Sequence, residues 1–192
     1  MKSEQGHLSQ MHKYLMNGSF YLQPDWLDYK LFTKIKAQLP KFKYKALYQP
    51  HGIYYGNRFQ AYPCYEIILT KYNSIFIPKF EDILQKKIEK KSFRCIVRKA
   101  IIEEVKKSKV STPFAIVHSD PSEIAAVLYF DQTPDGGTVF FENRGDKYPD
   151  TSIGAFPNRL LMYNGKRWHA VATDFTFKER YVLAFFFNIL KI

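Results

Sequence analysis

The stretch PFAIVHSDPSEIAAVLYFDQTPDGGTVFF, residues 113–141, decides the reading of this chain. Phe114-Ala-Ile-Val117 is a short apolar segment ending in two polar side chains, His118 and Asp120, with Ser119 between them. Side chains at i and i+2 of a strand point the same way, so these two converge on one point at the strand's end. An imidazole and a carboxylate there supply two ligands for a divalent metal. The pair also suits a plain turn, because Asp before Pro121 favours one. Two more apolar segments follow at 124–130 and 138–141, set apart by the turn clusters 119–122 and Asp135-Gly136-Gly137.

The same rhythm continues downstream. Apolar segments recur at 159–163, 168–172 and 180–189, with turn clusters at 143–149 and Asn164-Gly165 between them. Six closely spaced strands joined by Asp-Gly and Asn-Gly turns predict an antiparallel sandwich or barrel. His169 stands just after the Asn164-Gly165 turn, at the start of a strand. Two histidines and one carboxylate on a barrel rim make the facial set of a non-haem iron(II) site, with positions left open for a chelating cosubstrate and oxygen. By itself His169 also fits a capped edge histidine. Arg180 follows eleven residues later and leads the seven-residue apolar run 181–187. An arginine facing a barrel interior needs an anion, and its fork matches a carboxylate at two points. The alternative is a strand-mouth arginine, solvated or bridged to Glu142 or Asp174.

Upstream of 113 the pattern changes. Residues 1–20 are polar and read as a loose lead-in. Pro24 and Asp25 are expected to open a helix whose stripe is Leu27, Leu31, Ile35 and Leu39, with Pro40 stopping it. Turns are expected at 49–52, carrying His51, and at 56–57, then a buried strand over 64–69. A second helix is expected over 80–90, with Ile83 and Ile88 inside. Residues 92–105 favour a long strand, although 103–109 equally suits the end of a helix. The organisation expected is one domain over 1–192: lead-in 1–20, supporting helices and strands 21–91, and a barrel core 92–190.

Composition narrows the class. The chain has 192 residues and two cysteines, Cys64 and Cys95, in no metal-binding spacing, which suits a reducing cytosol. No segment reaches the length of a membrane span and no apolar signal core opens the chain, so a soluble, cytoplasmic protein is expected. The net charge is +11, placed unevenly: residues 1–110 hold 21 Lys and Arg against 9 Asp and Glu. That basic half would suit nucleic acid or a ribonucleoprotein, but a lysine-rich solvated surface is the favoured reading, since no motif of a known nucleic-acid module is present.

His118-x-Asp120, then His169, then Arg180 on the last strand resembles the iron(II)/2-oxoglutarate-dependent oxygenase superfamily. Three more segments are similar to its prolyl-hydroxylase-like branch: Ala125-Ala-Val-Leu-Tyr129-Phe-Asp131, Asp135-Gly-Gly-Thr138-Val-Phe-Phe141 and Pro157-Asn-Arg-Leu-Leu-Met-Tyr163. The family often has Asn where Asp131 stands. The resemblance covers residues 92–190. It implies a mainly β chain with an α flank (α+β): a double-stranded β-helix, the jelly-roll or cupin-like barrel, supported by N-terminal helices. It implies His118, Asp120 and His169 as ligands of iron(II), and Arg180 as the anchor of the far carboxylate of 2-oxoglutarate. It further implies Tyr129 assisting Arg180, and Val127 and Val139 lining the cosubstrate slot. The implied reaction uses O2 and 2-oxoglutarate to hydroxylate a C–H bond, releasing succinate and CO2, with ascorbate as an expected stimulant. The leading substrate is a protein or peptide, at a prolyl side chain. An alkyl-repair nucleic-acid oxygenase is the rival enzyme, but that family's Asn-x-Tyr segment is missing upstream of His118, and residues 170–178 contain no arginine. A non-catalytic cupin-like barrel would show no oxygen-dependent succinate formation. A basic RNA-binding protein would show steep salt dependence and no iron requirement.

Overall fold

The computed structural model describes residues 10–47, 64–107, 114, 117–172 and 178–191. Among them two antiparallel sheets face one another. The strands are β1 (Tyr21–Gln23), β2 (Lys45–Leu47), β3 (Cys64–Ile68), β4 (Arg94–Ile101), β5 (Ile124–Tyr129), β6 (Thr133–Phe141), β7 (Thr151–Ala155), β8 (Leu160–Asn164), β9 (Trp168–Val171) and β10 (Glu179–Phe187). The large sheet runs β1-β8-β5-β10-β4-β3-β2 and the small one β7-β6-β9. Single bridges, Phe114 to Ala172 and His118 to His169, add the metal-motif segment to the free edge of β9. This is the double-stranded β-helix that the resemblance implies, and an antiparallel arrangement of the kind the strand rhythm predicts.

Period-2 alternation divides β10 between two cores. Tyr181, Leu183, Phe185 and Phe187 face outward and meet the helices. Val182 and Phe186 face inward, towards the small sheet. The helices are α1 (Met11–Met16), α2 (Tyr29–Gln38), α3 (Asn73–Leu84) and α4 (Ile102–Lys107). Phe185 is fully buried against Phe76 and Phe80, with ring centroids 4.9 and 5.0 Å away. No helix among the described residues is long and apolar enough to cross a membrane.

Several expectations shift. The lead-in contains α1, whose Leu15 is fully buried. The first helix starts at Tyr29, where Asp28 caps it by accepting from the Leu31 N–H at 2.9 Å. Residues 26–27 are held non-helical by Asn158, which accepts from the Leu27 N–H and donates to the Leu27 carbonyl. The second helix is α3, ending where Gln85 turns left-handed at φ 50. Ile88 lies beyond it, bridged to Ile189, with its N–H donating to Glu81. Over the described residues up to 107 both readings hold in succession, since strand β4 passes directly into α4. The turns at 49–52 and 56–57, with His51, lie outside the described residues. Strand β7 was not expected. β1, β2 and β3 join the main sheet itself. β6 runs straight through Gly136-Gly137, where a turn was expected. A Cβ at Gly137 would lie 1.9 Å from the Ile153 carbonyl oxygen, so Gly137 serves close strand approach at a register shift. Cys64 and Cys95 are buried free thiols.

Candidate active site

The three expected metal ligands come together. One ligand atom each from His118, Asp120 and His169 lies within 4.8 Å of the others. Backbone pairing sets this up. The N–H of each histidine donates to the carbonyl of the other, both at 2.9 Å, a hydrogen-bonded antiparallel pair. Directly opposed residues share a face, so the imidazoles project together, with ring centroids 4.4 Å apart. Asp120 is fixed from the Asn164-Gly165 turn. Its N–H donates to the Gly165 carbonyl at 2.7 Å, and Lys166 Nζ donates to the carbonyls of Asp120 and Pro121. Only glycine fits that turn, because a Cβ at Gly165 would sit 2.4 Å from the Ser122 carbonyl oxygen.

The chemistry of these atoms asks for a cation. His169 is buried, and its Nδ1 lies 2.8 Å from the Arg167 carbonyl. A carbonyl only accepts, so Nδ1 carries the proton and Nε2 is the atom turned to the site. Nε2 lies 3.3 Å from Asp120 Oδ2. That oxygen is buried and has no well-aligned hydrogen-bond donor among the described residues. A nitrogen lone pair and a carboxylate oxygen at this distance repel unless positive charge, a proton or a metal ion, lies between them. His118 Nε2, on a partly exposed ring, is 3.8 Å from Asp120 Oδ1. Burial alone would raise the Asp120 carboxyl. The neighbouring His169, His118 and Arg98 outweigh it and hold Asp120 below its ordinary value. Two imidazole nitrogens and a carboxylate that stays ionised fit iron(II).

Behind the triad, the space between the sheets is walled by aromatic and aliphatic side chains. Tyr163 sets its ring edge-on to His169 at 4.9 Å, and Phe140 lies at 6.2 Å. Tyr129 is fully buried on the inner face of β5, and Val127 points the same way. Arg180 is 6% exposed, and its guanidinium carbon is 5.9 Å from the Tyr129 ring centroid. The Tyr129 hydroxyl pairs with Thr138 Oγ1 at 2.7 Å. Burial keeps both Tyr129 and Tyr163 protonated well into the alkaline range. Val139 differs from the expectation. It pairs with Ala170, not His169, and packs with Phe114, Val117 and Phe141 on the opposite face of β6. The inward residues of that strand are Thr138 and Phe140, because a one-residue phase difference reverses a strand side chain. Asp131 accepts from the Tyr181 N–H, joining the end of β5 to β10. Sequence reasoning did not single out Thr138, Phe140 or Tyr163 as lining this interior, because the phase of β6 and β8 is set by packing.

Solved structures share this architecture. A Pseudomonas putida prolyl-4-hydroxylase matches with a TM-score of 0.56 at 14% identity, over 94% of this chain and 97% of that one. A Trichoplax adhaerens prolyl hydroxylase, solved with a hypoxia inducible factor oxygen degradation domain peptide fragment, matches at 0.61 and 15%, over 97% and 93%. The epimerase SnoN, solved with Fe3+, alpha ketoglutarate and nogalamycin RO, matches at 0.62 and 11%, over 96% and 84%. At such identities the likeness is one of fold. The chain thus has the fold of the iron(II)/2-oxoglutarate oxygenases, prolyl 4-hydroxylases among them. No protein-family model and no curated protein matches the sequence.

Proposed function

We propose that this protein is an iron(II)- and 2-oxoglutarate-dependent oxygenase that hydroxylates a C–H bond, with a prolyl side chain of a protein as its leading substrate. The observation that carries the reading is the convergence of His118, Asp120 and His169 within 4.8 Å on the rim of a double-stranded β-helix. His118, Asp120 and His169 hold the metal. Arg180, with Tyr129 beside it, binds the 5-carboxylate of 2-oxoglutarate, while Val127 lines the slot. When bound, iron(II) with 2-oxoglutarate and O2 supplies the oxidising power for hydroxylation, with succinate and CO2 as co-products. The chain's own part is to fix the ligands before the metal arrives, to neutralise the cosubstrate and to keep water out of an aromatic interior. The prolyl preference is supported by the prolyl hydroxylases among the structural neighbours, one of them solved with a peptide.

The test is succinate formation from 2-oxoglutarate by the iron-loaded protein, with and without oxygen and ascorbate, followed by a search for +16 Da products on prolyl peptides. Oxygen-dependent succinate is expected. Its absence with every peptide and with cosubstrate alone would count against the reading.

A further inference from the structure

One charged residue of the barrel interior has no part in the chemistry above. Arg98 lies on β4 opposite Val182 of β10 and opposite Glu66 of β3. Opposed residues share a face. Val182 packs in the inner cluster with Tyr129 and Tyr163, so Arg98 belongs to that interior too. Its side chain leans away from Arg180, with the guanidinium carbon 5.5 Å from the Phe186 ring centroid. Phe186 pairs with Ala125, and Ala125 with Tyr163, the residue edge-on to His169. Arg98 therefore reaches to the level of the metal ligands, and its charge is among those that lower Asp120.

The Arg98 side chain is 33% exposed, but one donor of its guanidinium is not satisfied. Nε is buried and has no hydrogen-bond partner among the described residues. Among the described residues the carboxylate that comes within 4.0 Å is Glu66, whose Oε2 stands 4.0 Å from Nε, beyond hydrogen-bond reach. A buried donor without an acceptor is costly, and a fork of N–H groups is shaped for a carboxylate. We propose that Arg98 is a second carboxylate anchor of the interior, binding its anion at the metal-facing end of the pocket while Arg180 holds the far end. The naming of the two ends rests on the oxygenase reading; the anion site does not. The carboxylate comes either from the cosubstrate, as the group beside its 2-oxo carbon, or from the substrate near the reacting carbon. Glu66 is its rival in the absence of ligand.

Two probes separate the sources. The cobalt(II)-loaded full chain is titrated under nitrogen with 2-oxoglutarate, and then with acetate in the presence and absence of saturating 2-oxoglutarate, following the visible cobalt band. Wild type, Arg98→Met and Glu66→Gln are compared. If the cosubstrate supplies the carboxylate, Arg98→Met weakens 2-oxoglutarate by at least about tenfold. If the substrate supplies it, 2-oxoglutarate is unaffected and acetate loses its saturable effect in Arg98→Met. In either case Glu66→Gln tightens the same probe, because the competing carboxylate is gone. A purely structural Arg98–Glu66 pair predicts no tightening. Arg98→Met binding both probes as wild type does, or Glu66→Gln weakening them, overturns the proposal. Should Arg98→Met fail to fold, the direction of the Glu66→Gln change decides. A wild type that binds no 2-oxoglutarate sinks the oxygenase reading instead, and acetate titrated alone still reports on Arg98.

Discussion

Replacing His169 by alanine removes an imidazole whose Nδ1 is held by the Arg167 carbonyl and whose Nε2 faces Asp120 across the site. Two ligands cannot hold the ion as three do, so His169→Ala should lose bound metal and all succinate formation. The backbone pairing with His118 needs no side chain, so the circular dichroism of the variant should match wild type. Undiminished metal by elemental analysis would end the ligand assignment. At the other end of the pocket, Arg180 and Tyr129 are expected to contribute unequally. Arg180 carries the charge, whereas the Tyr129 hydroxyl already has Thr138 as a partner. Charge-assisted hydrogen bonds contribute roughly 1.5–3 kcal/mol. Arg180→Met should therefore weaken 2-oxoglutarate by about tenfold or more, and Tyr129→Phe by less. Anaerobic titration of the metal-loaded variants measures both; equal effects would mean that the hydroxyl, and not the ring, is the contact.

Among the elements, the turn Asn164-Gly165 couples two ligands that lie far apart in sequence. It starts β9, which bears His169, and its Gly165 carbonyl holds the N–H of Asp120. Gly165→Ala drives a Cβ to within 2.4 Å of the Ser122 carbonyl oxygen, which is backbone and cannot swing aside. Loss of roughly 1–3 kcal/mol is expected, in line with other steric and strain substitutions, together with weaker metal binding, since the Asp120 loop must shift. Urea unfolding and a metal titration on one sample measure the two effects; stability lost with metal affinity intact would uncouple the turn from the site. The elements also show what could be read from sequence. The triad was legible because the i, i+2 rule and a strand-start histidine are local facts. An antiparallel sandwich or barrel was legible because its strands are short and bounded by turn residues; the double-stranded β-helix came from the family resemblance. The start of α2 was not, because Asn158, far along the chain, holds residues 26–27 out of the helix. The first half of β6 was hidden because Gly136-Gly137 looks like a turn, where Gly137 serves close approach to the neighbouring strand β7. Val139 was placed on the wrong wall because register across β6 and β9 is a tertiary property, and strand periodicity alone leaves its phase open.

Taken whole, the molecule leans on one aromatic layer. Phe185 of β10 is fully buried and meets Trp26, Phe76, Phe80 and Phe93, which come from three separate stretches of chain. Phe185→Ala should cost about 3–5 kcal/mol, a large part of the stability of a domain this size. Its face is opposite to that of Val182 and Arg180, so the metal ligands should keep their affinity in whatever fraction stays folded. A denaturant midpoint left unchanged would contradict the packing. The rung joining His118 to His169 carries a further thermodynamic consequence. A site that assembles around its ion buries surface as it does so, and its binding heat then varies steeply with temperature. Here two of the three ligand backbones are already each other's partners, and the third is tied to the turn beside them. Most of the ordering entropy is spent during folding, before any ion arrives. Calorimetric titration of a divalent metal at several temperatures should accordingly give an enthalpy that is nearly flat, a heat-capacity change close to zero.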